Sequence, residues 1–262
     1  MGKYRVIGES NGKREQYLLD NLFLLNEKNQ TKDKLIAAVI DVETNGLDYQ
    51  KNKIIELGYI IFELDAKTGE PIKILKEFNE LQDPEEPLSE IIIQTTGITD
   101  DDLKGKSIDF EKVNKDFEKV DFCICHNSQF DRPFLEKKVI SLRDKKFACS
   151  IEDIQWSEYN FPSKKLEFLA MFHGFYYDAH RALVDCKATL HLLSHKDPNN
   201  DEFYLKQMLE KLNKSEFIVA ARKTPFESKS YFKENNYLWQ PELKIWYKYF
   251  STEDDANLEL AE

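Results

Sequence analysis

The chain has 262 residues, 41% of them hydrophobic and 13% aromatic, with a formal net charge of −11 at pH 7. That length suffices for one sizeable domain and a smaller one, and that composition excludes wholesale disorder. The charge argues against a protein that gathers nucleic acid by bulk attraction, but not against one that meets phosphate through bound cations.

No apolar run approaches the roughly 18 residues that span a bilayer. The N-terminus is polar and charged, unlike a signal peptide, and Val6 stands where a myristoylation start wants Ser or Thr. Cys123, Cys125, Cys149 and Cys186 form no CxxC pair. They read as buried thiols in a reducing, cytoplasmic setting.

Residues 1–33 read as a polar N-terminal extension. Within it Leu18, Leu19, Leu22 and Leu25 fall at helical spacing over residues 15–25. Residues 35–42 are apolar almost throughout, as in a central strand buried on both faces. Residues 53–64 and 71–78 repeat the strand pattern. Short turn-like links at 48–52 and 65–69 predict an antiparallel meander. Phe110, Val113, Phe117 and Val120 mark one helix face, residues 122–125 a short strand, and Phe130, Phe134 and Val139 the next helix. Residues 147–149 form a further strand. Leu166, Leu169 and Ala170 lie on a helix closed near Gly174, and residues 182–193 form the last helix of this block. Three strands followed by alternating helix and strand predict an α/β layered domain.

Residues 194–200 are turn-rich and read as a linker. Beyond them the pattern predicts a helix over 202–212, a strand over 217–221, a helix over 228–235 and a hairpin over 237–250 turning near Pro241. Residues 251–262 are acidic and expected to fray.

Three pieces carry chemistry. Asp41 and Glu43 are two apart at the end of the first apolar strand. Strand side chains alternate, so both carboxylates share a face, where they repel and lose hydration. A divalent cation offsets that, although Asp-x-Glu also ends many strands without function. The second piece is His126-Asn127-Ser128-Gln129-Phe130-Asp131, a strand end opening a helix. Asp131 in the first turn suits a site and equally suits the helix dipole. The third is His180-Arg181-Ala182-Leu183-Val184-Asp185. Asp185 lies inside a strongly apolar helix, where an unpartnered acid is costly. His180 reads either as a residue leaning over the same mouth or as a helix-entry histidine bonded to backbone.

Together the three pieces, with Thr95-Thr96-Gly97-Ile98-Thr99 after the third strand, make residues 34–195 resemble the DEDDh group of 3′→5′ exonucleases. That group includes the proofreading subunit of bacterial replicative DNA polymerase. The sister group has tyrosine four residues before the last acid; Arg181 stands there, which favours the histidine type. The resemblance implies a ribonuclease-H-like α/β fold, a mixed five-stranded sheet flanked by helices. Residues 34–198 would be the exonuclease domain and residues 199–262 a small C-terminal α+β module with an acidic tail.

It further implies that Asp41, Glu43, Asp131 and Asp185 hold two divalent cations, Mg²⁺ or Mn²⁺, which suit hard oxygen ligands. His180 would take a proton from the attacking water, a role suited to imidazole near neutral pH. Thr44, Gly46, Leu47, Asn127 and Phe130 would contact the terminal nucleotide, with Leu47 as an apolar wedge. For Leu47 and Phe130, plain core packing stays open. The expected reaction releases nucleoside 5′-monophosphates from 3′ ends, with DNA preferred, a polymerase or repair assembly as partner and no membrane.

Residues 205–250 carry nine basic residues against five acidic ones, interleaved with Tyr231, Phe232, Tyr237, Trp239, Trp246 and Tyr247. Stacking plus cations suits nucleic acid; the same aromatics suit the core of a small domain. Two rival functions stay open at this stage. One is an RNA-acting exoribonuclease of the same group. The other is a non-catalytic subunit that docks on a polymerase.

Overall fold

The computed structural model describes residues 25–159, 161–213, 217–235, 237–241, 243–250 and 253–261. The helix expected over 15–25 therefore lies almost wholly outside the described residues. The chain divides into two compact units, Met1–Lys211 and Leu212–Glu262.

In the first unit the meander expected from the sequence is present. Strands β1 (Lys34–Thr44), β2 (Ile54–Asp65) and β3 (Pro71–Leu81) pair antiparallel. Helices α1 (Glu90–Thr96), α2 (Asp100–Leu103) and α3 (Phe110–Phe117) follow. Their starts are capped by Ser89, Thr99 and Asp109, whose side chains accept backbone N–H groups that would otherwise be orphaned. Then β4 (Phe122–Cys125), α4 (Ser128–Lys138) and β5 (Lys146–Cys149) add two parallel strands on the far side of β1. The result is a mixed five-stranded sheet in the order β3-β2-β1-β4-β5, with β1 at its centre.

The sheet has two differently used faces. Ala38, Ile40 and Val42 of β1, with Leu57, Tyr59 and Ile61 of β2, pack on Val113 and Phe117 of α3 and Phe134 of α4. Phe117 is 1% exposed, so Phe117→Ala would remove about 3–5 kcal/mol of stability. The opposite face carries Asp41 and Glu43 and is covered by α6 (Ala182–Leu193), which follows α5 (Leu166–Phe172). All four cysteines are buried thiols. No helix among the described residues is long and apolar enough to cross a membrane.

The turn-rich stretch 194–200 is not a loose linker. Asp197 is buried and accepts from the Tyr159 hydroxyl at 2.6 Å and from Gln207 at 3.0 Å, which folds α7 (Tyr204–Asn213) back onto the first unit. Tyr204 packs on Trp156 and on His173 there. The division between units accordingly falls after Lys211.

The second unit is a three-stranded antiparallel sheet of β6 (Phe217–Arg222), β8 (Ile245–Phe250) and β7 (Leu238–Gln240), with α8 (Lys229–Glu234). Phe232, Tyr237 and Trp246 form its core. The tail expected to fray is instead helix α9 (Glu253–Ala261). Ala256 is buried, and Glu259 accepts from the Tyr237 hydroxyl and the Lys248 ammonium, both at 2.9 Å. Burial and a charge-assisted contact anchor a segment whose charge alone suggests solvent.

Candidate active site

Asp41 and Glu43 stand at the C-terminal end of β1 on the face that α6 covers. Asp185 reaches them from the first turn of α6. One carboxylate oxygen from each of the three lies within 4.8 Å of the others. Its orientation is set locally: one Asp185 oxygen accepts the backbone N–H of His180 at 2.8 Å and of Arg181 at 3.0 Å. The Tyr177 hydroxyl also donates to it.

Asp131 arrives from α4. The chain leaves β4, turns through Asn127 at φ +94°, and enters the helix with Asp131 in its first turn. Asp131 is 2% exposed and accepts the backbone N–H of Val42 at 3.2 Å. That bond ties the second piece of the sequence to the middle of the first.

The four acids repel one another in a buried place. Burial, then Asp131, Asp185, Glu43 and Glu56, push Asp41 well above the ordinary carboxylate value. Glu43 is pushed up to about 8, chiefly by burial and by Asp185, with Arg181 opposing. Asp131 and Asp185 are also raised, in both cases mainly by burial. Arg181 gives its fork to Glu56, with Nε to Oε2 at 3.0 Å and Nη2 to Oε1 at 2.8 Å. Convergent hard oxygens with raised proton affinity are what a divalent cation compensates, so the residues fit such an ion.

The acids open into a cavity of about 480 Å³, whose lining includes Asn127, Phe130 and His180. His180 takes the left-handed conformation, φ +70°, and its side chain is 50% exposed, with Nε2 at 3.9 Å from Glu167 Oε1. Phe130 is half-buried and packs on the core beside Phe134, ring centroids 5.3 Å apart. Leu47 is 84% exposed, so it is not core. Thr44 is buried, and its hydroxyl donates to the Gly46 carbonyl at 2.7 Å, closing the turn after β1. A Cβ at Gly46 would lie 2.5 Å from Asn52 Nδ2, so a side chain there would require the Asn52 side chain to shift.

Three features escaped the sequence reading. Tyr177 has no spacing signal; only the fold brings it to Asp185. Glu56 had a signal, since a lone acid inside the apolar run of β2 demands partners. His126 is structural. Its Nε2 faces the Lys164 carbonyl at 3.0 Å and so carries the proton, while Nδ1 accepts from the Ser150 hydroxyl at 2.7 Å. Burial pushes its pKa down to about 4, which keeps it neutral as it ties the 163–165 loop to the site.

A profile of the exonuclease family, of the RNase T type, matches residues 38–193. The DNA polymerase III PolC-type of Halalkalibacterium halodurans is 35% identical over 170 residues, 59% of this chain and 11% of that protein. The Bacillus subtilis protein of the same description is 34% identical over 171 residues, again 59% and 11%. The chain thus spans about 11% of the length of these curated relatives. Among solved structures, E. coli exonuclease I in complex with a dA16 oligonucleotide aligns at a TM-score of 0.51 and 16% identity, over 68% of this chain and 42% of that one. That likeness shows the fold.

Proposed function

Because this chain belongs to the exonuclease family and carries the acid and histidine set of the DEDDh type, we propose that it is a metal-dependent 3′→5′ exonuclease acting on DNA ends. In this reading it releases nucleoside 5′-monophosphates. The observation that carries the reading is the convergence of carboxylate oxygens from β1 and α6 within 4.8 Å, with Asp131 and His180 on the same cavity. The preference for DNA is supported by relatives named as DNA polymerases and by a neighbour holding a deoxyoligonucleotide.

Asp41, Glu43, Asp131 and Asp185 would hold two cations, Mg²⁺ or Mn²⁺. Bound there, such ions supply charge neutralisation at phosphate and a more acidic water. The chain's own residues do the rest. His180, at the solvent edge, accepts the proton of the attacking water at a ring nitrogen and passes it outward. Leu47, exposed on the turn after β1, offers an apolar surface to the terminal base. Asn127 and Phe130 line the cavity itself, and the Thr44–Gly46 turn leads into Leu47. A polymerase or repair assembly is the proposed partner, the polymerase in keeping with relatives named as DNA polymerases.

The test is a time course on a 5′-labelled single-stranded DNA and its RNA counterpart, with Mg²⁺, Mn²⁺ or EDTA. Wild type runs beside Asp41→Asn. The expected result is a ladder shortening from the 3′ end of DNA, abolished by EDTA and by the substitution. A faster RNA ladder would move the substrate to RNA. An active, metal-stimulated Asp41→Asn protein would sink the assignment.

A further inference from the structure

Glu56 interrupts the apolar run of β2 and is fully buried. It stands opposite Glu43 in the β1–β2 ladder, so both side chains point to the face that α6 covers. A carboxylate so placed is a natural fifth member of the acid cluster, yet its oxygens are occupied by protein donors. Arg181 grips it with Nε and Nη2, Asn79 donates to Oε1 at 2.9 Å, and the Ala182 N–H donates to Oε2 at 3.0 Å.

The same turn is held from its other side. The N–H groups of His180 and Arg181 both donate to Asp185. Three successive backbone N–H groups, 180 to 182, are therefore fixed by two carboxylates, one a proposed ion ligand and the other Glu56. Held N–H groups are what keep His180 at φ +70°, a conformation that a non-glycine residue seldom keeps unaided.

We propose that Glu56 and Arg181 form a positioning pair. It withholds a fifth carboxylate from the ion-binding cluster and pins the turn that presents His180 and Asp185 to the cleft together. The inference rests on reading the cluster as a divalent-cation site. Its charge logic is specific. Without Glu56, the Arg181 guanidinium is released beside Glu43 and competes with a cation for that carboxylate. Without Arg181, Glu56 is left as an uncompensated buried acid beside the same group. Removing both relieves the competition but leaves the turn unpinned.

The experiment is Mn²⁺ titration of the metal-free full chain, followed by electron paramagnetic resonance, for wild type, Glu56→Gln, Arg181→Met and the double variant. Circular dichroism checks folding and kcat is measured at saturating Mn²⁺. Glu56→Gln is expected to weaken Mn²⁺ binding at least about tenfold, and the double variant to recover to within about threefold of wild type. In the double variant kcat stays at least about tenfold low, because the turn has lost its anchor. Mn²⁺ affinities within twofold of wild type in Glu56→Gln, or a double variant no better than Glu56→Gln, would overturn the inference. A merely structural pair would lower thermal stability alone and leave Mn²⁺ affinity unmoved. Should Arg181→Met fail to fold, Arg181→Gln replaces it in both the single and the double variant: charge and fork are lost, a polar side chain is kept, and the same crossed effect on Mn²⁺ affinity is expected. Wild-type protein that binds no Mn²⁺ would remove the cation-site reading and this inference with it. Wild-type binding without the crossed effect would remove the inference alone.

Discussion

Asp41 and Gly58 are register partners across the β1–β2 ladder, and the space that a side chain at 58 would fill is occupied by the backbone of α6. A Cβ at Gly58 would lie 2.4 Å from the Leu183 nitrogen and 2.5 Å from the Ala182 carbonyl carbon. The missing side chain lets the first turn of α6 press onto the sheet beside Asp41, and so brings Asp185 within reach of it. Gly58→Ala should therefore do two things. Overpacking against backbone costs about 1–3 kcal/mol, read as a lower midpoint in urea. Lifting α6 also separates Asp185 from Asp41, so turnover should drop by roughly a hundredfold, as expected for a displacement of about 1 Å at a reacting centre. A variant with wild-type turnover would show that the approach of α6 does not set the site.

His180 makes no place for itself in the carboxylate trio; it stands at the edge of the cavity. His180→Ala is expected to cut kcat by about 10²–10⁴-fold, the usual worth of a positioned proton acceptor. Mn²⁺ affinity should stay within about threefold of wild type. Isothermal titration alongside kinetics makes the comparison. A large loss of affinity would recast His180 as a ligand or a structural residue.

Metal removal and pH should act together on stability. Glu43 has a folded-state value near 8 against an ordinary 4.5, and Asp41, Asp131 and Asp185 move the same way. A carboxyl raised on folding favours the fold while it keeps its proton, and that contribution is lost as pH rises through its folded-state value. His126 and His173 are instead held down to about 4 by burial, so they weaken the fold only as pH falls below their ordinary value. Between about pH 7 and 9, then, the carboxylates decide the trend. Thermal unfolding in EDTA should show Tm falling across that window, and Mg²⁺ should flatten the fall by replacing the lost protons. A Tm in EDTA that holds or rises from pH 7 to 9 would contradict the repulsion argued for this cluster.

The second unit divides its aromatics. Phe232, Tyr237 and Trp246 are core, whereas Trp239 is 44% and Tyr231 50% exposed. Trp239→Ala should raise the KM for single-stranded DNA by roughly tenfold, in line with about 1–3 kcal/mol for a stacked base, and leave kcat within twofold. Unchanged KM in both Trp239→Ala and Tyr231→Ala would assign this sheet a purely structural purpose.

Much of the architecture is written locally. The apolar runs of β1 and β2 and the helical spacing around Phe110, Leu166 and Ala182 each state their own conformation, because burial on one face or two imposes a period of its own. The acids Asp41, Glu43, Asp131 and Asp185 were legible for a related reason: a carboxylate in an apolar element demands a partner, wherever that partner lies. What the sequence could not say is which partner. Glu56 carries the same local signal as Glu43, yet the fold hands it to Arg181, 125 positions away. Tyr177 gains its place only because the loop before α6 passes over Asp185. The acidic tail became α9 because Tyr237 and Lys248 stand where Glu259 can meet them. Sequence by itself determined the strands and the strongly periodic helices and marked the candidate acids, through periodicity and the cost of burying charge. Tertiary structure alone decided which carboxylates converge and which are withheld, because those pairings join residues far apart in the chain and depend on close approaches, such as that of α6 over Gly58, that no local pattern encodes.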